Sequence, residues 1–473
     1  MIRDLIQGFL SAVGIFYVLY MIGYASFLFL SVTVGSASLY GSKRRGQLKN
    51  ELDGSHYVPV TIVVPAHNES VTIESSVRSL TLLDYRSYEI IVVDDGSTDD
   101  TSQILVDAFQ MIRVNRPIRR QLPCQPTEAI YETRGGRVPI TLIRKRNGGK
   151  ADALNMGINA ARYPYFLCMD ADSVLQRDSL AKIVRPVLED DRVVAVGGSV
   201  RPCNGAEIKD GVVIRYRMPR QLLPCMQVLE YDRSFLAARI LFDQFNGSII
   251  ISGAFGLFKK STVIDAGGYD ATTVGEDMEL VMRLHVFCRE HGVPYRVRYA
   301  TDAICWTQAP EKLKDLCKQR RRWHIGLYQS MMRHRNILFD LKYGMVGFVS
   351  CLYFLLYELF SPYIEVFGVL VTVLAWFADF LNLPFMALYM GVYVVYSSIL
   401  SLTAFFARIH TVDLKLTLGD VCKAVGLCVV EVSFLRFILA WVRVTALGRG
   451  RGKKTVWGQI ERKKINFNSG DRA

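Results

Sequence analysis

The chain reads as an α/β protein in which a mostly parallel sheet flanked by helices is joined to transmembrane α-helices. Three observations predict this. Short runs such as VTIVVPA at 60–66 and EIIVVDD at 89–95 are nearly continuous in hydrophobicity, as strands buried on both faces are. Stretches of helical period lie between them, and strand alternating with helix implies parallel pairing. Apolar runs stand at both ends of the chain, and 51% of its 473 residues are hydrophobic, more than one soluble core of that length buries.

The first apolar run, about Phe9 to Val34, carries no charge and is long enough to cross a bilayer. It lacks the short apolar core and small-residue cleavage site of a signal peptide, and GSKRRGQLK follows it. It reads as an anchor with its basic end in the cytosol, giving a transmembrane segment at 1–40. Residues 41–335 form the cytosolic domain, with further strands at ITLIRK (140–145) and YFLCMDAD (165–172) and helices over 69–85 and from GKADALN onward. An interfacial helix beginning near Leu313 closes the domain. Apolar runs near 343–360, 362–380, 385–407 and 421–447 make 336–447 a transmembrane and interfacial bundle, read as four crossings, five with the anchor. That count returns the basic tail 448–473 to the cytosol but puts the Arg408–Lys415 loop outside, against the positive-inside bias.

The net charge of +13 admits an anionic membrane, an anionic substrate or nucleic acid as partner. The basic clusters at Lys43–Arg45, Arg320–Arg322 and Arg449–Lys454 all flank apolar segments, which favours the lipid bilayer and excludes nucleic acid from this reading. Ten scattered cysteines without a CxxC pair fit buried thiols in a reducing compartment rather than disulfides or a zinc site.

Five motifs carry the candidate chemistry. PAHNES after the first strand includes Pro65 and Glu69, and VVDDGSTDDT after the second includes Asp94 and Asp95. Paired carboxylates before a Gly-Ser turn suit hydrogen bonding to a base or ribose; an acidic turn capping the next helix is the competing reading. In RNGGKADALN, Lys150 and Asp152 stand where a glycine loop opens a helix, a natural place for phosphate contacts, though the Walker pattern is absent. Asp170 and Asp172 flank Ala171 at a strand end, so two carboxylates can converge on one Mg²⁺ or Mn²⁺ whose shell diphosphate and water complete. A lone DxD is a weak signal. Glu276 and Asp277 open a helix in GEDMEL, where a carboxylate can take a proton from a hydroxyl, and where acidic residues also sit simply to suit the helix dipole. Gln319, Arg322 and Trp323 share a helix face at i, i+3 and i+4, offering a donor, a cation for phosphate and an aromatic plate for a sugar ring; contact with lipid headgroups competes, above all for Arg320 and Arg321.

The set is more specific than its parts. DDG, DxD, GEDxEL and QxxRW in this order, between an amino-terminal membrane helix and a carboxy-terminal bundle, resemble the processive membrane-bound family 2 glycosyltransferases, among them cellulose, hyaluronan and poly-N-acetylglucosamine synthases. GGKADALN, SGAFGLF at 252–258 and WTQAPEKLKDLCKQRRRW at 306–323 look most like the bacterial poly-N-acetylglucosamine synthase branch. The resemblance implies a GT-A fold and inverting transfer from a UDP-sugar, UDP-N-acetylglucosamine for preference, to a growing polysaccharide with coupled translocation. It implies that Asp94 and Asp95 hold uridine, with Pro65, Glu69, Lys150 and Asp152 around the nucleotide. Asp170 and chiefly Asp172 would then handle the metal and diphosphate, and Asp277 would be the base. Glu276, Gln319, Arg322 and Trp323 would meet diphosphate and acceptor. It further implies a multi-pass protein of the bacterial inner membrane with a cytoplasmic catalytic domain, and leaves room for accessory export subunits.

Glu431 and Arg436 lie in the last apolar run and are expected to line a polymer channel or to pair with each other. Two rival readings stand beside the synthase. A transferase adding one sugar to a lipid-linked acceptor would share DxD and the base. A transporter with a regulatory domain would carry its polar machinery at mid-membrane, whereas here the motifs concentrate between Asp94 and Trp323.

Overall fold

The structure, a computed structural model, describes residues 2–49, 57–209, 211–233, 238–412, 416–430 and 435–449. Strands β1 (Val60–Ala66), β2 (Tyr88–Asp95), β3 (Met111–Val114), β4 (Thr127–Thr133), β5 (Ile140–Lys145), β6 (Tyr165–Met169), β7 (Val174–Leu175), β8 (Val193–Pro202), β9 (Ala206–Lys209), β10 (Val212–Tyr216), β11 (Phe255–Lys259) and β12 (Arg296–Thr307) follow in chain order. All but β9 and β10, which form a separate ribbon, join one sheet in the order β3-β4-β5-β2-β1-β6-β11-β8-β12-β7.

Its centre, β5-β2-β1-β6, is parallel, as the continuous apolar strands require, and so is the β8–β12 pair. The β11 strand enters antiparallel between β6 and β8, and antiparallel pairs close both edges. Alternation along β1 and β2 builds a core on each face. Ile62, Val64, Ile90 and Val92 pack with Ile73, Val77 and Leu80 of the helix Ile73–Thr81 and with Leu180 and Ile183. On the opposite face Val63 meets Leu154 and Ile158 of the helix Lys150–Ala160 and Leu280 and Leu284 of the helix Glu276–Glu290.

The helix Ile2–Lys49 contains a segment long and apolar enough to cross a membrane, Arg3–Gly41, and so does the helix Leu383–Val412, in Met386–Ala407. A third candidate is the pair Val346–Leu359 and Ser361–Phe377, bent by 44°. This pair runs antiparallel to the first helix: Tyr353 stacks on Phe27, Tyr357 on Tyr20 and Tyr24, the Tyr17 hydroxyl donates to the Ile364 carbonyl, and Arg3 lies over Phe380. Leu383–Val412 runs parallel to the first helix. Tyr396 and Leu400 pack beside Tyr24, Leu28 and Val32, and Ala407 beside Leu39.

This direction carries the start of the Arg408–Lys415 loop, expected outside, toward the globular domain. Its flanks return to the globular domain: Leu416 packs near Tyr216 and Trp306, Arg217 donates to the Thr417 hydroxyl at 2.8 Å, and the Met218 amide to Asp420 at 3.2 Å. In the last apolar run the described helices are Leu418–Val430 and Arg436–Arg449, and Leu435 and Leu439 again pack on Leu316 and Leu229 of the domain. Glu431, residues 450–473 of the basic tail and the loop residues 413–415 lie outside the described residues.

Candidate active site

A cavity of about 1460 Å³ opens at the carboxyl ends of β1, β6, β8 and β12, the side on which parallel sheets bind ligands. Pro65, Glu69, Lys150, Asp170, Asp172, Glu276, Asp277, Gln319, Arg322 and Trp323 all line it. Residues separated by more than 250 positions are thus brought to one space, and each group arrives on its own element.

Lys150 is the first residue of its helix. Gly149 before it has φ +91°, a left-handed turn that a residue with a side chain rarely adopts, and this turn swings the chain from β5 into the helix. The ammonium lies 2.6 Å from Asp170 and 3.4 Å from Glu276, so one cation joins the turn after β6 to the GED loop. Burial alone would lower the Lys150 pKa, but Asp170 and Glu276 together outweigh it and hold the group above its ordinary value. Burial pushes the Glu276 carboxyl up, against the pull of Lys150 and with a further push from Asp277.

Asp277 opens the helix Glu276–Glu290 and accepts the Met278 amide at 2.8 Å and the Gly253 amide at 3.0 Å. Both bonds favour a fixed carboxylate orientation. The loop before it is seated by a backbone contact: a Cβ on Gly326 would lie 2.8 Å from the Gly275 Cα, so the helix Leu313–Arg333 touches the GED loop with nothing between. The same helix delivers Gln319, Arg322 and Trp323, and the two motifs are therefore set relative to each other by a glycine pair.

Asp94, Asp95 and Asp152 do not line this cavity; they stand in the wall behind it. Asp95 is fully buried, forms an ion pair with Lys145, and accepts the amides of Gly148 at 3.0 Å and Gly149 at 2.7 Å. Lys145 also meets Asp152 at 2.6 Å, and Asp152 accepts the Gln125 amide at 3.1 Å. Asp94 accepts from the Ser97 amide at 2.8 Å and from the Ser102 hydroxyl. Their carboxylates brace the glycine loop and the DDG turn. Lys145, His67, Gln125, Asn147 and Arg239 belong to the site or its wall and were not anticipated. A basic pair, Arg144 and Lys145, closing the strand ITLIRK was the available signal for Lys145.

Arg320 corrects another expectation. It does not reach for lipid headgroups: it is 3% exposed, pairs with Glu230 at 2.6 Å and lies 4.4 Å from the centre of the Trp323 ring.

Among the described residues no three His, Cys, Asp or Glu side chains converge as a self-sufficient metal site. Two neighbouring carboxylates on one cavity wall are instead the donor set of an Mg²⁺ or Mn²⁺ that takes its other oxygens from a bound diphosphate and water, and Asp170 and Asp172 fit that role. The Asp172 carboxylate also accepts the Ser173 hydroxyl at 3.3 Å.

Sequence comparison fits this site. The model described as glycosyl transferase family group 2 matches residues 165–407, just over half of the chain, and that described as glycosyl transferase family 2 matches 61–122. The chain belongs to the family 2 glycosyltransferases, and the α/β GT-A fold implied by the resemblance goes with that family. Curated relatives include poly-β-1,6-N-acetyl-D-glucosamine synthase of Staphylococcus aureus strain COL, 30% identical over 318 residues, and the same enzyme of Staphylococcus epidermidis, 28% identical over 325. Each match covers 66% of this chain and 66% of the relative, just under two thirds of the latter's length. A solved mannosyltransferase, PcManGT from Pyrobaculum calidifontis in complex with GDP-Man and Mn²⁺, is similar at 19% identity with a TM-score of 0.49, covering 81% of this chain and 98% of that one.

Proposed function

We propose that this glycosyltransferase extends a polysaccharide by inverting transfer from a UDP-sugar, UDP-N-acetylglucosamine in the first instance, at the cytoplasmic face of a bacterial inner membrane. The carrying observation is that Asp170, Asp172, Lys150, Asp277, Arg322 and Trp323 line one cavity at the foot of the apolar helices. The donor diphosphate lies toward Asp170 and Asp172. A divalent ion bound there supplies charge neutralisation for the leaving nucleoside diphosphate. Arg322 and Gln319 bind diphosphate oxygens, while the Lys145–Asp95–Asp152 wall holds the nucleotide loop in shape.

Trp323 presents its indole to the terminal sugar of the acceptor. Asp277 takes the proton from that sugar's attacking hydroxyl as the new C–O bond forms at the anomeric carbon. The bond to the diphosphate breaks on the opposite side, and UDP leaves with the electron pair. One base, opposite the leaving group, suffices for inversion in a single step.

Coupled passage of the product is supported by a second cavity of about 240 Å³, which shares Tyr231, Arg239, Trp323 and Glu358 with the first and continues among the apolar helices. Arg436 lines it and pairs with Glu365 at 2.6 Å. The helix directions support three membrane crossings.

The test is incubation of the reconstituted protein with labelled UDP-sugars and Mg²⁺ or Mn²⁺, with sizing of the product. A polymer from UDP-N-acetylglucosamine that chelation abolishes and metal restores is expected. A product of one added sugar would favour the lipid-carrier alternative, and no turnover of any UDP-sugar would overturn the reading.

A further inference from the structure

We propose that Arg320 is a positioning residue for the acceptor platform, fixing the plane of the Trp323 indole at the neck between the two cavities. This rests on the reading of Trp323 as the acceptor's seat. The indole lines both cavities and is 37% exposed, so its tilt decides how a sugar passing from one to the other is met. A guanidinium lies against its face. Arg320 lies 4.4 Å from the ring centre, within the range of cation–π attraction, and a desolvated contact of this kind is stronger than an exposed one.

Arg320 is itself held. Its Nη2 donates to Glu230 at 2.6 Å, and Glu230 comes from the helix Leu222–Tyr231, which also lines the second cavity through Tyr231. A lysine would keep the charge but lose the flat fork that can face an indole and a carboxylate together. Among the described residues the buried Arg320 Nε has no hydrogen-bond partner, and the group is held by the carboxylate and the ring.

The test uses the full-length protein in lipid nanodiscs with Arg320→Met, Arg320→Lys and the pair R320M/E230Q, which leaves no lone buried carboxylate if R320M alone does not fold. UDP affinity is measured by calorimetry, and the acceptor KM with a short N-acetylglucosamine oligosaccharide and UDP-N-acetylglucosamine. The emission of Trp323 is taken as the part lost in Trp323→Phe. Expected are an acceptor KM raised about tenfold, which corresponds to ~1.4 kcal/mol, a UDP Kd within twofold, a shifted Trp323 emission, and partial recovery in R320K. A Trp323 emission unmoved by loss of the guanidinium, or UDP affinity falling in step with the acceptor, overturns the assignment. A wild-type protein that turns over no UDP-sugar sinks the proposed function instead, while the emission comparison still decides the role of Arg320.

Discussion

Asp277 accepts one backbone amide on each carboxylate oxygen, Gly253 on Oδ2 and Met278 on Oδ1, so an asparagine there keeps one of the two bonds and loses the base. Asp277→Asn is expected to lower kcat by roughly 10²–10⁴-fold, the range for a lost general base, with UDP binding by calorimetry preserved. A second prediction concerns His285, buried between the Ser248 carbonyl at 2.9 Å and the Tyr295 hydroxyl at 2.7 Å. Burial pulls its pKa down to about 4 from 6.5. A depressed histidine binds fewer protons in the folded state, so its contribution is complete above pH 6.5 and is lost as pH falls toward 4. Thermal unfolding in detergent should show wild type losing on the order of 3 kcal/mol across that window, a slope that His285→Gln removes. Among the thirteen residues singled out by motif, the sequence located the cavity lining well because spacing such as DxD and QxxRW is a local property. It could not tell that Asp95 and Asp152 share Lys145, since that depends on two strands and a helix meeting 50 residues apart.

At the scale of elements, the contact of Gly275 with Gly326 ties two motifs that are far apart in sequence. Gly326→Ala inserts a methyl group 2.8 Å from backbone, which the loop can accommodate only by moving Glu276 and Asp277 away from the QxxRW helix. A loss of about 1–3 kcal/mol in stability is expected, together with a fall in kcat larger than that of a surface alanine substitution on the same helix, read by thermal unfolding and by turnover. The central strands were legible because burial on both faces leaves a continuous apolar run, and the helices Lys150–Ala160 and Glu276–Glu290 because a glycine precedes each. The antiparallel insertion of β11 was not, for an apolar run such as FGLFK has the same composition in either direction. Nor was the direction in which Leu383–Val412 runs, since hydropathy measures length and not direction.

For the whole molecule, the helix directions place Leu418 on the domain side and Leu383 on the opposite side of the apolar layer. In a background without native cysteines, Leu418→Cys should react with an impermeant maleimide only from the cytoplasmic side and Leu383→Cys only from outside. Both residues are exposed, at 80% and 51%. Reaction of Leu418→Cys from outside would restore the five-crossing arrangement.

The pairing of Arg436 with Glu365 has a consequence for how the chain is made. The two are separated by 71 residues, so the carboxylate is synthesised and delivered to lipid well before its arginine leaves the ribosome. An acidic group in hydrocarbon without that counter-ion is costly. Nascent chains that stop between the two should therefore stall at insertion and be degraded, which makes the carboxy-terminal helix a checkpoint of biogenesis before it is anything else.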